Sequence, residues 1–480
     1  VTSPARRPRI ALLVALLLLL TAAPAAARTT AEDLLRPGGK PDIVLLVLDD
    51  VGPLPDAVWE RLPTIRRLFL EGSVRLTRHV GNDPLCCPGR ATLLTGLRAR
   101  DHGVVANDGR LFDPTVTIAT ELADVGYRTG LFGKYLNMEE LLADKTPPGW
   151  NRFFMGIDYY RDTWWDDGEP FWIGDRARDY SVDVLRRTAV RWLGKVPREE
   201  PFFAYLSPYT IHAGTRRDGS YAGDEPVPAP RHEKDPRCRD LEPWRTPAHG
   251  TLPAPVLAWM AGMDTWRRSQ GRPLTEICEA LLGVDDLVSA LEARLAAEGR
   301  EDVVWILTAD NGMSWGRFGW ERKHVPWAAG LPLFIHAPGG SAGEPRSIVS
   351  TTTSTDIAPT ICDLAGCAMG PFPSGKLVSG RSILPLLHGE VEDPPREVIP
   401  TEQLTPWTQE AWMPPWQGLV TTEASPLGRW SYVRYVTGDV WMADLEADPW
   451  ELVNLAADPA HRETRRALEA LWEELHPPRH

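Results

Sequence analysis

The sequence predicts an α/β fold with a large mixed, mostly parallel sheet sandwiched by helices, followed by a smaller C-terminal α+β domain. Apolar runs such as Ile43 to Leu48 in "DIVLLVLDD" continue without alternation, as strands covered on both faces do. Amphipathic helical patterns separate these runs, and strands alternating with helices imply parallel pairing. Beyond Pro394 the pattern changes to shorter strands and one strongly two-faced helix.

In chain order, Arg6, Arg7 and Arg9 precede an apolar run from Ile10 to Leu20 and the small residues "APAAA" ending at Ala27. This reads as a signal peptide over residues 1–27. The apolar run is shorter than the roughly 20 residues a bilayer span needs, so no stable membrane insertion is expected. The expected destination is outside the cytoplasm, secreted or at the cell surface, in an oxidising compartment. The larger α/β domain is expected over residues 40–393. Its strands are "DIVLLVL", "YRTGLFG", "PFFAYLS" and "DVVWILTA". Its helices carry apolar stripes at Ile118, Leu122 and Val125, at Val182, Leu185, Ala189 and Trp192, and at Ile277, Leu281, Val284, Leu287 and Leu291. "EDPPREVIP" reads as a linker. In residues 394–480, "RWSYVRYV" and "VWMADL" read as antiparallel strands, and Leu468, Leu471, Trp472 and Leu475 share one helical face.

The formal net charge is −13, and removing the three leader arginines changes it from 52 − 65 to 49 − 65, or −16. A chain this acidic is a poor nucleic-acid binder. The six cysteines are Cys86, Cys87, Cys238, Cys278, Cys362 and Cys367. Pairing Cys362 with Cys367 and Cys238 with Cys278 is the expected arrangement, although four cysteines allow three connectivities. It leaves Cys86 and Cys87 without partners.

Each long strand ends in polar residues: Asp49 and Asp50, Lys134, His212, and Asp310 with Asn311. In parallel sheets, ligands gather beyond these carboxyl ends. Asp49, Asp50, Asp310 and Asn311 are hard oxygen donors, suited to Ca²⁺ or Mg²⁺ rather than to zinc. Crowded carboxylates are costly unless a cation neutralises them. In "PLCCPGRATLLTG", Pro88 and Gly89 read as a turn before a helix, which places Cys86 and Arg90 near a helix N-terminus, where anions are favoured.

"CCPGRATLLTG" resembles the signature of the sulfatase family within the alkaline phosphatase superfamily, Cys-x-Pro-x-Arg followed by Thr-Gly. The likeness extends through "LDD", "GKYLN", "YLSPYTIH", "GVDD", "TADNG", "TSTDIAPTICDLAG" and "DLEADPWELVNLA". The resemblance implies that a formylglycine-generating enzyme converts Cys86 to formylglycine during maturation. It also implies that Asp49, Asp50, Asp310 and Asn311 bind Ca²⁺, that Arg90 holds the formylglycine hydrate, and that Lys134, His212 and Lys323 contact the sulfate and the leaving oxygen. In "GWERKHVPW", His324 or Arg322 is an alternative to Lys323, and His102 is expected only to order the loop after the signature helix.

Two positions depart from the family pattern. Gly89 stands where most members have serine, and Leu136 and Asn137 stand where a histidine usually follows the lysine matched by Lys134. Asn137 can donate a hydrogen bond to substrate but cannot shuttle a proton near neutral pH. "GKYLN" and "GVDDLV" are similar to the N-acetylglucosamine-6-sulfatase branch, which implies a sulfated glycan or related small molecule as substrate. Net acidity favours a pocket for one terminal sulfated sugar over a surface for a long polyanion. Trp164, Trp165, Trp315 and Trp320 are candidates for a stacking wall. Two competing readings are a phosphonate or phosphodiester hydrolase of the same superfamily and a catalytically silent sugar-binding homologue.

Overall fold

The computed structural model describes residues 40–138, 145–260, 271–300, 302–320, 322–337, 346–390, 395–405 and 413–477. The expected signal peptide and residues 392–394 of the expected linker lie outside the described residues. The strands of the first half are β1 (Asp42–Leu48), β2 (Val74–Val80), β3 (Arg128–Gly133), β4 (Arg152–Met155), β5 (Asp162–Asp166), β6 (Glu169–Ile173), β7 (Phe202–Ser207), β8 (Ala213–Thr215) and β9 (Tyr221–Pro226). Those of the second half are β10 (Val303–Ala309), β11 (Gly330–Leu331), β12 (Phe334–His336), β13 (Arg346–Thr353), β14 (Val398–Gln403), β15 (Trp416–Thr421), β16 (Trp430–Tyr435) and β17 (Val440–Asp444). The main helices are α1 (Cys86–Thr95), α2 (Ile118–Asp124), α3 (Ser181–Leu193), α4 (Thr275–Ala297), α5 (Ile357–Ala365) and α6 (Arg462–Leu475).

The large sheet has eleven strands in the order β11-β2-β12-β10-β1-β7-β3-β4-β5-β6, with β13 also paired to β2. Its centre, β10-β1-β7-β3-β4, is parallel throughout. Every residue of β1 is buried, and its side chains alternate between two cores. Val44, Leu46 and Leu48 pack on the face covered by α3 and α4, while Ile43, Leu45 and Val47 pack on the face of α1, α2 and α5. A strand buried on both faces needs apolar residues at every position, which is why the sequence shows no alternation there.

The C-terminal sheet is antiparallel, in the order β14-β15-β16-β17, and α6 lays Leu468, Leu471, Trp472 and Leu475 against it. The segment expected as a linker is shorter than its sequence suggests, because Val398–Pro400 already belong to β14 and pair with Leu419–Thr421. Pro400 is tolerated because β14 is an edge strand. Both expected disulfides form, Cys238–Cys278 and Cys362–Cys367, with Cα atoms 5.8 and 4.6 Å apart. Among the described residues, no helix is long and apolar enough to cross a membrane.

Candidate active site

The four neighbouring strands β10, β1, β7 and β3 deliver their polar ends to one place. Asp49 and Asp50 follow β1, Asp310 and Asn311 follow β10, the β7 end leads to His212, and Lys134 follows β3. Asp50 adopts φ +61°, a left-handed conformation that aspartate tolerates better than most residues. At Gly133, with φ +105°, a Cβ would lie 2.0 Å from the Ser207 carbonyl oxygen. Glycine therefore lets β3 end against β7, and the Lys134 amide donates to that same oxygen at 2.8 Å.

Pro88 and Gly89 are not a turn before α1 but part of its first turn, since the helix begins at Cys86. Proline is accommodated there because the first amides of a helix have no intrahelical partner to lose. A Cβ on Gly89 would meet the Asp310 carbonyl oxygen at 2.0 Å, so glycine allows α1 to seat directly on the end of β10. Cys86 then points into the cluster. Its Sγ is 2.9 Å from Lys323 Nζ, 3.8 Å from Asp50 Oδ1 and 3.9 Å from Asp49 Oδ1.

Three cations and three carboxylates interlock around this sulfur. Lys134 Nζ donates to Asp49 Oδ2 at 2.6 Å. Arg90 donates through Nε to Asp310 Oδ2 at 2.9 Å and through Nη1 to Lys134 O at 2.8 Å and Ser207 Oγ at 2.6 Å. Lys323 donates to Asp50 Oδ1, and Asn311 Nδ2 donates to the same oxygen at 2.8 Å. Asp310 Oδ1 accepts from the amides of Asp50 and Asn311 at 3.1 and 2.8 Å. The His212 ring faces Tyr209 at 4.6 Å between centroids, with Nδ1 2.7 Å from the Ala213 carbonyl and Nε2 3.6 Å from Asp50 Oδ2. An Nδ1–H donated to that carbonyl leaves the Nε2 lone pair facing the site.

Burial alone would raise both aspartates of β1. Lys134 and Arg90 instead hold Asp49 below the usual carboxylate range, and Lys323, aided by Lys134, does the same for Asp50. Asp310 is raised by burial and by Asp49, with Arg90 and Lys134 opposing. Burial pushes the Cys86 thiol up to about 12 in spite of Lys134 and Lys323. A cysteine so placed is a neutral thiol at pH 7 and a poor nucleophile in that form.

The donor set fits a hard divalent cation. Ligand atoms of Asp49, Asp50 and Cys86 all lie within 4.8 Å of one another, and Asn311 is joined to them through its Nδ2 bond to Asp50 Oδ1 at 2.8 Å. Asp310 spends one oxygen on two amides, and its Oδ2, bonded to Arg90, keeps a lone pair. Arg90 Nη2 is buried without a hydrogen-bond partner and lies 3.5 Å from Asp49 Oδ2, so a donor remains for a further oxygen at the site.

Other expected residues fall elsewhere. Asn137 meets Cys87, not Cys86: its amide donates to Cys87 Sγ at 3.1 Å, and Cys87 Sγ is 3.5 Å from Asn137 Oδ1. Consecutive residues of a helix project about 100° apart, which turns Cys87 away from the cluster toward the end of β3. Of the three candidates in "RKH", Lys323 is the one that reaches Cys86. The exposed Arg322 pairs with Asp224, and burial and Lys323 lower the half-buried His324 to about 4. The Trp320 and Trp416 indoles hold the carbonyls of Lys323 and His324, each at 2.7 Å. Trp164 and Trp315 are buried and Trp165 packs against the core, so these three form no stacking wall. His102 accepts the Val104 amide and meets Thr92 Oγ1, ordering the loop after α1 as expected. Tyr209, which covers Lys134 and His212, was not singled out in the sequence. Its place beside His212 in "SPYTIH" was the available signal.

The sulfatase family profile matches residues 41–367, spanning every residue of this cluster. The chain belongs to the sulfatase family. It is 27% identical to the extracellular sulfatase SULF-1 homolog of Drosophila melanogaster over 72% of this chain and 31% of that protein. It is 28% identical to the N-acetylglucosamine-6-sulfatase of Capra hircus over 73% of this chain and 64% of that one. The chain thus spans about a third and somewhat under two thirds of these two relatives. Among solved structures, a protein in complex with its substrate D-glucosamine-2-N,6-O-disulfate superposes with a TM-score of 0.72 at 19% identity, covering 91% of this chain and 97% of that one. The phosphonate monoester hydrolase from Silicibacter pomeroyi superposes with a TM-score of 0.65 at 24% identity, covering 91% and 95%. At these identities the two structures speak for the fold.

Proposed function

We propose that this sulfatase-family chain hydrolyses a sulfate ester of a carbohydrate, using residue 86 as formylglycine and a calcium ion at Asp49, Asp50, Asp310 and Asn311. The observation that carries this reading is the position of Cys86, at the start of α1, between the Lys323 ammonium and the Asp49 and Asp50 carboxylates. Hydrated formylglycine supplies an oxygen nucleophile with a second hydroxyl for release of sulfate, and calcium supplies positive charge beside the sulfuryl oxygens.

The protein's own groups complete the chemistry. Arg90 and Lys134 are buried cations whose positions are fixed by Asp310, Asp49 and Ser207, so they stabilise developing negative charge without reorganising. Lys323 bridges Asp50 and residue 86 and donates to the leaving oxygen. Burial disfavours its charge, but Asp50 together with the other acidic groups of the site outweighs burial and holds it protonated. His212, fixed through Nδ1, presents Nε2 for proton transfer and takes the part that Asn137 cannot. Relatives that act on 6-sulfated N-acetylglucosamine and extracellular sulfatase homologues support a glycan sulfate as substrate and export as destination.

The test is sulfate release by protein co-produced with a formylglycine-generating enzyme. The panel is 2-, 4-, 6- and N-sulfated glucosamine derivatives, an aryl sulfate and an aryl phosphonate monoester. Turnover of a sulfated sugar with the highest kcat/KM, lost in Cys86→Ala, is the expected result. Preference for the phosphonate would replace the sulfatase reading, and tight sugar binding without any release would favour a silent homologue.

A further inference from the structure

Exposure rises in one direction from the cluster. Arg90, Lys134, Asp49 and Asp310 have fully buried side chains, those of Lys323 and Asp50 are 10% and 11% exposed, and that of His212 is 26% exposed. A substrate therefore enters past His212 and Lys323. The two segments that carry these residues continue outward as the walls of the entrance. After His212 the chain forms the β8–β9 hairpin, in which Thr215 pairs with Tyr221. The hairpin is anchored at Thr215, whose amide and hydroxyl donate to the Asp158 carboxylate at 2.5 and 2.6 Å. Immediately before Lys323 stands Arg322.

Two large side chains on these walls are presented to solvent. Tyr221 is 63% exposed, a large aromatic presented to solvent on a pinned hairpin. The side chain of Arg322 is 71% exposed, and its Nη2 donates to Asp224 Oδ1 of β9 at 3.0 Å. An exposed ion pair of this kind contributes little to stability and exchanges readily for another anion. Tyr221 and Asp224 lie on the same strand, β9, so the Arg322–Asp224 pair joins the two walls.

We propose that Tyr221 and Arg322 form a positioning pair at the entrance. Tyr221 offers its ring face to the sugar, and Arg322 binds a second anionic group of the substrate where Asp224 now stands. The substrate class is thus a sulfated sugar carrying a further sulfate or a carboxylate a few ångströms from the scissile ester. This rests on the sulfatase reading for the identity of the reacting group, but the binding it describes is independent of turnover. Guanidinium recognises sulfate and carboxylate alike, so the substrates must separate the two sources.

The experiment uses full-length Arg322→Gln and Tyr221→Ala protein, each in modified form for kinetics and in a Cys86→Ala background for binding. The ligands are 6-sulfated N-acetylglucosamine, glucosamine 2-N,6-O-disulfate, a 6-sulfated disaccharide bearing a uronate carboxylate, and an aryl sulfate. Arg322→Gln is expected to raise KM, and Kd by calorimetry, about tenfold for whichever doubly charged ligand is used, with kcat held and the singly charged ligands unchanged. Tyr221→Ala is expected to raise KM for every sugar, with Tyr221→Phe restoring it. Equal effects of Arg322→Gln on all four ligands, or none, overturn the proposal. Selective weakening of binding in a protein that releases no sulfate would keep the pair and overturn the hydrolytic reading instead.

Discussion

Gly89 and Asp310 meet at the closest approach of α1 to the sheet, and each makes a separate test of the site. Placing a methyl on Gly89 forces α1 and β10 apart, because a Cβ cannot sit 2.0 Å from the Asp310 carbonyl. A displacement on the order of 1 Å at a reacting group costs about 10²-fold in rate. Gly89→Ala should lower kcat on the aryl sulfate by about that factor with the disulfides and fold retained. Asp310→Ala should abolish calcium binding, read by calorimetry, together with turnover. It should also destabilise the protein by about 1.5–3 kcal/mol, read by denaturant unfolding, because it removes the nearer of the two carboxylates paired with the buried Arg90 and leaves only Asp49 at 3.5 Å. Read from sequence alone, Asp310 is one carboxylate too many, whose loss would relieve repulsion. Its bonds to Arg90 and two backbone amides reverse that expectation. Cys86, Arg90 and the paired acidic residues were legible because each is a dense local pattern. The contact between Asn137 and Cys87 was not, since it depends on the angular phase of a helix whose start lies two residues before the apparent turn.

At the scale of elements, β2 and β13 run parallel and hold His79 between them, with Nδ1 3.0 Å from Thr352 Oγ1. Burial lowers His79 to about 4, with Asp356 opposing and Arg396 assisting. A histidine whose folded pKa is below its unfolded value gives its full stability above pH 6.5 and loses it as pH falls toward 4, since the unfolded chain binds the proton first. The loss amounts to roughly 2 kcal/mol between pH 7 and pH 5. His79→Gln should therefore show a smaller fall in Tm over that interval than the parent protein, and equal slopes would exclude His79 as a source of acid sensitivity. The central strands were legible because burial on both faces writes an unbroken apolar run. β11, β12 and the β5–β6 and β8–β9 hairpins were not, being two to six residues long and mixed in polarity. Their positions are set by tertiary pairing rather than by local pattern.

Over the whole molecule, the division into residues 40–393 and 394–480 follows the change of sheet but not a change of core. Phe318, Val325 and Trp327 pack in one cluster with Trp416, Val433, Tyr435 and Trp441 of the C-terminal sheet. Trp416 also fixes the carbonyl beside Lys323. We propose that the C-terminal unit is a domain by topology that folds with, and braces, the Lys323 loop. The central claim for the molecule is that a buried, unreactive thiol at residue 86 is the precursor of the working group. The direct measurement is mass spectrometry of the Pro84–Arg90 peptide from protein that releases sulfate, with carbonyl labelling to locate an aldehyde. An aldehyde at residue 86 and a thiol at residue 87 is the predicted result. Active protein with an intact Cys86 thiol, or with Cys86 bridged to Cys87, would contradict it.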